Sequence, residues 1–521
     1  MRNPPPAAVL VALVAAALAC APDAPVPVVM DSSVIVGADG LVPALVCPGA
    51  TGCASAAGVL RVGAAARTVT PVVNEGAPPV WLAGFTLGRQ ATGVHDDVWA
   101  RALVIEQGDV RAALVVVDAL GLFHHDTVRV RTKAKELGID HIIVTSTHVH
   151  ESKDTMGMWG EQVGVTAYDE EYMELIASKA TEALAEAVSE LVEVTMTVGL
   201  SSAAQYVRDS RQPIVLDQSL HAVHFESAAG PVATLVVWGN HPETLDDTNT
   251  LLTSDYPHYV RDEVEARLPG TTAVFASGIL GGLTTTLGLL VCPDEAGLDT
   301  CPQGTFERAE VVGRFVGAAA VDSLLAPEAR DESFADDALA IRRHPLLFTP
   351  TNQPLAIAFQ LGMLQRPLYD QQTGERIPDE QVPGLTLDEI ASGLVQIDSE
   401  VSAVSIGGVE LLTVPGELYA ELWLAKEDGT PLIERPDGAD HPDAPFEQPI
   451  STIMRNAKTK IVLNNANDAI GYILPEAQFD FTSPYAYNPD SGQYGEQNSI
   501  GHLAGPELVD GISALYELTL R

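Results

Sequence analysis

Four apolar stretches, far apart in the chain, each run straight into a polar residue of metal-binding type, and together they limit the fold more than any other feature. They are HIIVTSTHVH, ending at His148 and His150; ATLVVWGNHPE, with His241; VELLTVPGE, ending at Glu417; and TKIVLNNANDAIGY, ending at Tyr472. Short runs rich in Val, Ile and Leu, bounded by polar residues, Pro or Gly, favour buried strands. In open α/β sheets, chemistry gathers at the carboxyl ends of the strands. Four such ends meeting at one place would make a cage of two imidazoles, a carboxylate and a phenol around one hard or borderline cation.

The rest of the composition bounds what such a cage can serve. A chain of 521 residues, 46% hydrophobic, can bury one large core or two smaller ones. Its 29 Lys and Arg against 70 Asp and Glu leave a net charge of −41. Nucleic-acid phosphates and anionic membrane surfaces would be repelled, so the expected partner is a small molecule or a lipid substrate. Apart from that exclusion, the charge reads as a solvated acidic shell.

The N-terminus reads as a targeting segment over residues 1–20. Arg2 precedes the apolar run AAVLVALVAAALA, too short for a comfortable transmembrane helix, and Cys20 follows. Ala17-Leu18-Ala19-Cys20 resembles a bacterial lipobox with Leu one place nearer the Cys than usual; cleavage before Cys20 and lipidation of its thiol would tether the protein to the cell envelope. An ordinary secretory signal cut nearby is the alternative. Residues 21–58 read as a tether and lead-in. Cys47 with Cys53, and Cys292 with Cys301, are close enough to close small disulfide loops, which suits an oxidising compartment. Neither spacing is a zinc knuckle.

From residue 59 to 521 strands and helices alternate, which predicts one α/β domain with mixed sheets flanked by helices and a metal site at strand ends. RALVIEQGDVRAALVVVDALG predicts a hairpin turning at Gln107-Gly108-Asp109. Helical spacing runs over 127–138, 168–192, SDYPHYVRDEVEARL and 306–326; LVEVTMTVGLSS and SLHAVHFES read as strands. The Pro-rich stretch 343–385 is expected to be irregular, and 426–449 to be a long acidic loop.

Most of the thirteen histidines stand alone and are expected to be ordinary. His148 and His150 differ, because residues i and i+2 of a strand point to the same side. One can bind metal while the other relays protons. Glu417, in Val-Pro-Gly-Glu before the helical LYAELWLA, reads from spacing alone more readily as a plain helix N-terminal Glu than as a ligand. The run Gly278–Thr286 lacks the Lys of a P-loop; its amides are candidates for an anion or oxyanion nest, or it is a flexible turn. There is no HExxH, no Gly-x-Ser-x-Gly elbow and no dinucleotide fingerprint.

Taken in series, these segments resemble the neutral (non-lysosomal) ceramidase family, zinc-dependent amidases that cleave the N-acyl bond of ceramide. VGAAARTVTP is similar to that family's Gly-x-x-Arg-x-Asp-Ile-Thr-Pro opening, and GVHDDVWARALVIE to the segment that follows it. TSTHVHES resembles its Thr-His-Thr-His-Ser-Gly-Pro, WGNHPETL with Ser254-Asp255 its second histidine segment, and VPGE its Pro-Gly-Glu. GYILPEAQF with YGEQNSIGHLAGPEL resembles its Tyr-containing C-terminal segment. The motifs run in the family's order from about residue 60 to the end.

The resemblance implies one zinc ion held by His148, His241, Glu417 and Tyr472, with His150 beside them, Tyr494 as oxyanion donor and Arg208 as an active-site arginine. It matches the family's active-site serine with Thr284 and the preceding Asp with Gly282, and the Gly-Pro after the first histidine pair with Ser152-Lys153-Asp154. It also implies the catalytic domain without the family's C-terminal β-sandwich. The expectation is an exported, lipid-anchored zinc hydrolase acting on an N-acylsphingosine or related lipid amide. The alternatives are a hydrolase of another amide or ester, and a non-catalytic metal-containing surface binding protein.

Overall fold

Strands apolar on both faces need cover on both sides, and that requirement organises the molecule. The structure is a computed structural model that describes residues 44–47, 58–294, 297–326, 329–331, 339–454, 457–487 and 493–517. The targeting segment, Cys20 and the Cys47–Cys53 pairing lie outside what is described. Among the described residues no helix is long and apolar enough to cross a membrane.

The first sheet has nine strands among the described residues. Its principal members are β1 (Leu60–Thr68), β2 (Trp99–Gln107), β3 (Val110–Val117), β4 (His141–Ser146), β5 (Val192–Ser202), β6 (Ser219–Ser227), β7 (Gly230–Trp238) and β8 (Thr272–Ser277), in the order β8-β7-β6-β5-β1-β2-β3-β4. The expected hairpin is β2–β3, with Gln107 opposite Val110. Only β3–β4 and β7–β8 run parallel, so the sheet is mixed.

The second sheet centres on β9 (Ala340–Phe348), β10 (Val395–Ile406), β11 (Val409–Thr413) and, after a two-residue strand β12 (Glu417–Leu418), β13 (Thr459–Leu463). A final short strand β14 (Tyr472–Ile473) pairs with β12 alone. The expected irregularity of 343–385 is corrected in part: Arg343–Phe348 belongs to β9, Pro345 included. Proline has no amide to donate, but the neighbour on that side, Ala44–Cys47, pairs only with Ile341–Arg343, so Pro345 lies where one edge is free.

The two sheets pack face to face. Val62, Leu103, Leu114, Val223 and Leu235 of the first meet Ile341, Val404, Leu411 and Ile461 of the second in one buried cluster. The alternate residues of the same strands face helices. Ala102, Val104, Ile142 and Val144 pack on α1 (His124–Ala134) and α2 (Glu170–Ser189), and Val236 and Phe275 on α3 (Tyr256–Arg267) and α4 (Phe306–Leu325). The outer face of the second sheet is covered by α5 (Ala504–Glu517). The layers therefore run helix, sheet, sheet, helix, a mixed α/β fold as the alternation of elements predicted.

The histidine-bearing strands β4 and β7 lie far apart in the strand order, yet their ends meet, because the sheet coils until its two edges approach. The Ser277 hydroxyl at the end of β8 donates to the Thr147 carbonyl after β4, at 2.7 Å. The loop Asn464–Asn467 after β13 then binds along β4: the Val144 amide donates to Asn467 Oδ1 at 3.0 Å, and Thr145 Oγ1 to the Asn464 carbonyl at 2.9 Å. This loop both closes the edge of β4 and joins the two sheets at the strand ends.

Candidate metal centre

Each of the four apolar runs ends where its polar residue reaches a common point, though not by one device. His148 follows β4 in a left-handed backbone conformation, φ 64°. For a β-carbon-bearing residue this costs about 1–3 kcal/mol and persists only where surrounding contacts hold it. Here the Leu120 carbonyl accepts from His148 Nδ1 at 2.7 Å, and the Asn465 amide lies 3.1 Å from the same nitrogen. His241 follows β7; its Nδ1 and its backbone amide both donate to the Thr284 carbonyl, at 2.7 and 3.0 Å. Both imidazoles are thus held by Nδ1 and present Nε2, as metal-binding histidines are usually oriented.

Glu417 and Tyr472 arrive as register partners in the parallel pair β12–β14. The sequence placed Tyr472 at the end of one long strand; in fact β13 stops at Leu463 and the loop Asn464–Ile470 intervenes. The helix expected after Glu417 is a single turn, Ala420–Trp423. Glu417 Oε2 lies 3.1 Å from His241 Nε2 and 3.5 Å from His148 Nε2, and the Tyr472 hydroxyl 3.1 Å from His241 Nε2. Burial pushes the Glu417 carboxyl up, but His148 and His241 outweigh it and hold it below the ordinary carboxylate range. Burial alone would lower His241; the hydrogen bond it donates to the Glu417 carboxylate and the charge of Glu243 raise it instead. Burial, with the Glu417 charge behind it, drives the Tyr472 phenol well above its usual value.

His150 completes a buried group of three imidazoles, whose nearest nitrogens with those of His148 and His241 all lie within 4.8 Å; this group can bind a metal ion. Among the described residues neither ring nitrogen of His150 has a hydrogen-bond partner. Burial, with His148 and His241 as like charges, holds its pKa well below the usual imidazole value. The ring fits only because residue 84 is glycine: a β-carbon there would stand 2.4 Å from His150 Cγ, at φ 96°. Buried unpartnered nitrogens, two oriented Nε2 atoms, a carboxylate and a phenol make a donor set that fits a borderline divalent ion.

Two expected residues take other parts. Thr284 is buried, but its hydroxyl donates to the Leu280 carbonyl at 2.9 Å; it reaches the centre through its own carbonyl, which orients His241. Arg208 is corrected: it is exposed, its Nε donates to the Leu287 carbonyl at 2.5 Å, and it is not brought into the cluster. Its backbone is paired both ways with Thr285, which fixes the side chain outward. The buried arginine of this segment is Arg211, paired with Glu496 two residues beyond Tyr494. Tyr494 itself packs edge-on against Tyr472, ring centres 5.9 Å apart.

The nest expected of the Gly-rich run is also corrected. The amides of Gly278, Gly281, Thr284 and Thr285 donate to the carbonyls of Trp238, Leu418, Leu280 and Arg208, and that of Leu280 to Asn464 Oδ1. The run is a brace between the two sheets. At Gly282, where the resembling family has Asp, a β-carbon would stand 3.0 Å from Asp209 Oδ1, so a carboxylate reaches that place from another segment.

Sequence reading missed Glu243 and the asparagine loop. Glu243 stands 3.6 Å from His150 Nδ1 and accepts from Thr285 Oγ1; burial raises its pKa against the pull of His241. Its signal was in the chain: His241-x-Glu243 has the same spacing as His148-x-His150. Asn464 and Asn465 carried no signal, because their partners are tertiary.

No protein-family profile matches the chain. Among curated proteins it is 24% identical over 242 residues to the neutral ceramidase of Pseudomonas aeruginosa, covering 42% of this chain and 36% of that one. The match thus spans about a third of that relative's length. Among solved structures, the crystal structure of neutral ceramidase from Pseudomonas aeruginosa superposes with a TM-score of 0.61 at 16% identity, over 89% of this chain and 75% of that chain. A ceramidase complexed with C2 superposes equally, with a TM-score of 0.61 over 88% and 75%. The resemblance drawn from the motifs is borne out: in sequence over part of its length, and in fold over most of it, this chain is similar to neutral ceramidase.

Proposed function

We propose that this protein is an exported zinc-dependent amidohydrolase that cleaves the N-acyl bond of a lipid amide of the ceramide type. The observation that carries the reading is the convergence of His148, His241, Glu417 and Tyr472 from four remote segments, with both histidines tied through Nδ1 so that Nε2 faces the centre. These four residues would hold one zinc ion. When bound, such an ion acidifies a water and polarises the substrate carbonyl.

The chain's own residues do the rest. His150, neutral and without a hydrogen-bond partner among the described residues, carries a proton to the leaving amine, with the Glu243 carboxyl 3.6 Å from its Nδ1. The Tyr494 hydroxyl donates to the carbonyl oxygen as negative charge develops there. Thr284 keeps His241 in its tautomer from behind. The two tied sheets hold this set in place, and the low exposure of its members excludes water. Export and attachment at Cys20 rest on the N-terminal apolar run, and the Cys292–Cys301 disulfide supports an oxidising compartment.

The test is mass spectrometry of the zinc-loaded full chain with N-acylsphingosine and with simple N-acyl amines. Release of free fatty acid is expected, and its loss in Glu417→Gln at unchanged circular dichroism. Intact N-acylsphingosine beside cleaved simple amides would move the substrate to another amide. A second reading, a non-catalytic metal-holding protein, draws on the Thr284 hydroxyl being turned to Leu280; bound zinc without turnover of any amide or ester would establish it.

A further inference from the structure

A second cluster of ligand-type side chains shares no residue with the first centre. It is built from His441 in the acidic loop, Glu476 at the start of the turn Glu476–Gln478, and His502 just before α5. One ligand atom of each lies within 4.8 Å of the others. His502 Nδ1 is 2.9 Å from Glu476 Oε1, and His441 Nδ1 is 3.9 Å from the same oxygen, beyond hydrogen-bond distance. A zinc ion with ligands at about 2.0–2.1 Å in tetrahedral arrangement needs its ligand atoms roughly 3.3 Å apart, which these two distances bracket.

The rings support the same assignment. The His441 and His502 imidazoles are stacked, centroids 4.0 Å apart and 17° between planes, and Phe479 packs edge-on against both. The backbone is braced on either side: Asp440 accepts from the Phe481 and Thr482 amides, and Glu447 from the Glu476 amide.

We infer that His441, Glu476 and His502 form a second, structural site for a borderline divalent ion of the zinc class, its remaining positions filled by water. Two imidazoles and one carboxylate disfavour calcium and magnesium, which take oxygen ligands. The site clips together three segments that are remote in the chain. Tyr472 lies four residues before Glu476 and Tyr494 eight before His502, so the clip fastens the stretch that carries both tyrosines of the first centre. Nothing in this assignment depends on the first centre being catalytic.

The test is a count of zinc. The full chain, stripped with a chelator, is titrated with zinc alone, and bound ions per chain are measured together with the shift in melting temperature. Wild type is expected to take up two equivalents; His441→Ala and His502→Ala should each lose one whole equivalent and part of the zinc-induced rise in Tm. His148→Ala should lose the other equivalent and keep this one, which separates failure of the first centre from failure of the second. If His502→Ala does not fold, His441→Asn decides, since that ring is partly solvent-exposed. Equal zinc content in wild type and His441→Asn, or uptake of the second ion only at millimolar zinc, overturns the inference.

Discussion

Replacing Gly281 by Ala tests whether the Gly-rich run is a brace for the metal centre. A β-carbon at residue 281 would stand 2.4 Å from the carbonyl carbon and oxygen of Leu418 and from the Tyr419 amide nitrogen. Ordinary contact begins at 3.4 Å, so the two backbones must part by about 1 Å. None of these atoms is on a side chain that can rotate away. The displaced segment is β12, which is held on its other sides by the Leu418 amide to Asn464 Oδ1, 2.7 Å, and the Glu417 amide to the Gly471 carbonyl, 2.9 Å. It cannot move without carrying Glu417 with it. Overpacking of this kind costs about 1–3 kcal/mol. A 1 Å displacement of a positioned group costs roughly 100-fold in rate, and disturbed support of metal-binding residues about 10–100-fold in affinity. The assay is urea denaturation with zinc titration of Gly281→Ala beside Gly384→Ala, where a β-carbon meets nothing within 4 Å. Gly281→Ala should lose both stability and zinc affinity, and Gly384→Ala neither. If the two variants behave alike, the Gly-rich run does not position Glu417.

Glu421 predicts a pH dependence of stability. It is buried, one oxygen has no hydrogen-bond partner among the described residues, and burial raises its pKa to about 7 against the opposing charge of Arg211. Its unfolded value is near ~4.3, so between that pH and about 7 the native state holds a proton that the unfolded chain has released. Stability therefore falls as pH rises through this window, by up to about 4 kcal/mol. Glu421→Gln should match wild type near the bottom of the window and exceed it at pH values above 7; parallel denaturation curves at both ends would refute this. Arg261 and Asp118 form a bidentate pair, 2.9 and 3.0 Å, both side chains buried. Asp118 also accepts from Ser254 Oγ and the Trp99 amide, so Arg261→Leu leaves an uncompensated buried charge and should cost about 3–5 kcal/mol. Adding Asp118→Leu should recover part of that loss; strictly additive losses in urea denaturation would argue against a coupled pair.

What the chain declared by itself was local. Apolar runs such as HIIVTS and ATLVVW declared buried strands because they are apolar on both faces, and a strand so composed has only one environment that accepts it. The Gln107-Gly108-Asp109 turn and the helical spacing around Glu170–Ser189 were legible for the same reason: each is decided within a few residues. His148, His241, Glu417 and Tyr472 could be named because each directly follows such a run or the loop that leaves it.

Tertiary structure decided the rest. Whether Arg208 or Arg211 turns inward, and where the strand before Tyr472 stops, depend on atoms remote in the chain: the Leu287 carbonyl, 79 positions from Arg208, Glu496, 285 from Arg211, and the β4 backbone that binds the asparagine loop. The coiling that brings β4 to β8 is a property of the whole sheet, and no residue within either strand encodes it. Propensity and periodicity report what a segment prefers; which groups share a point in space depends on how those preferences are satisfied together.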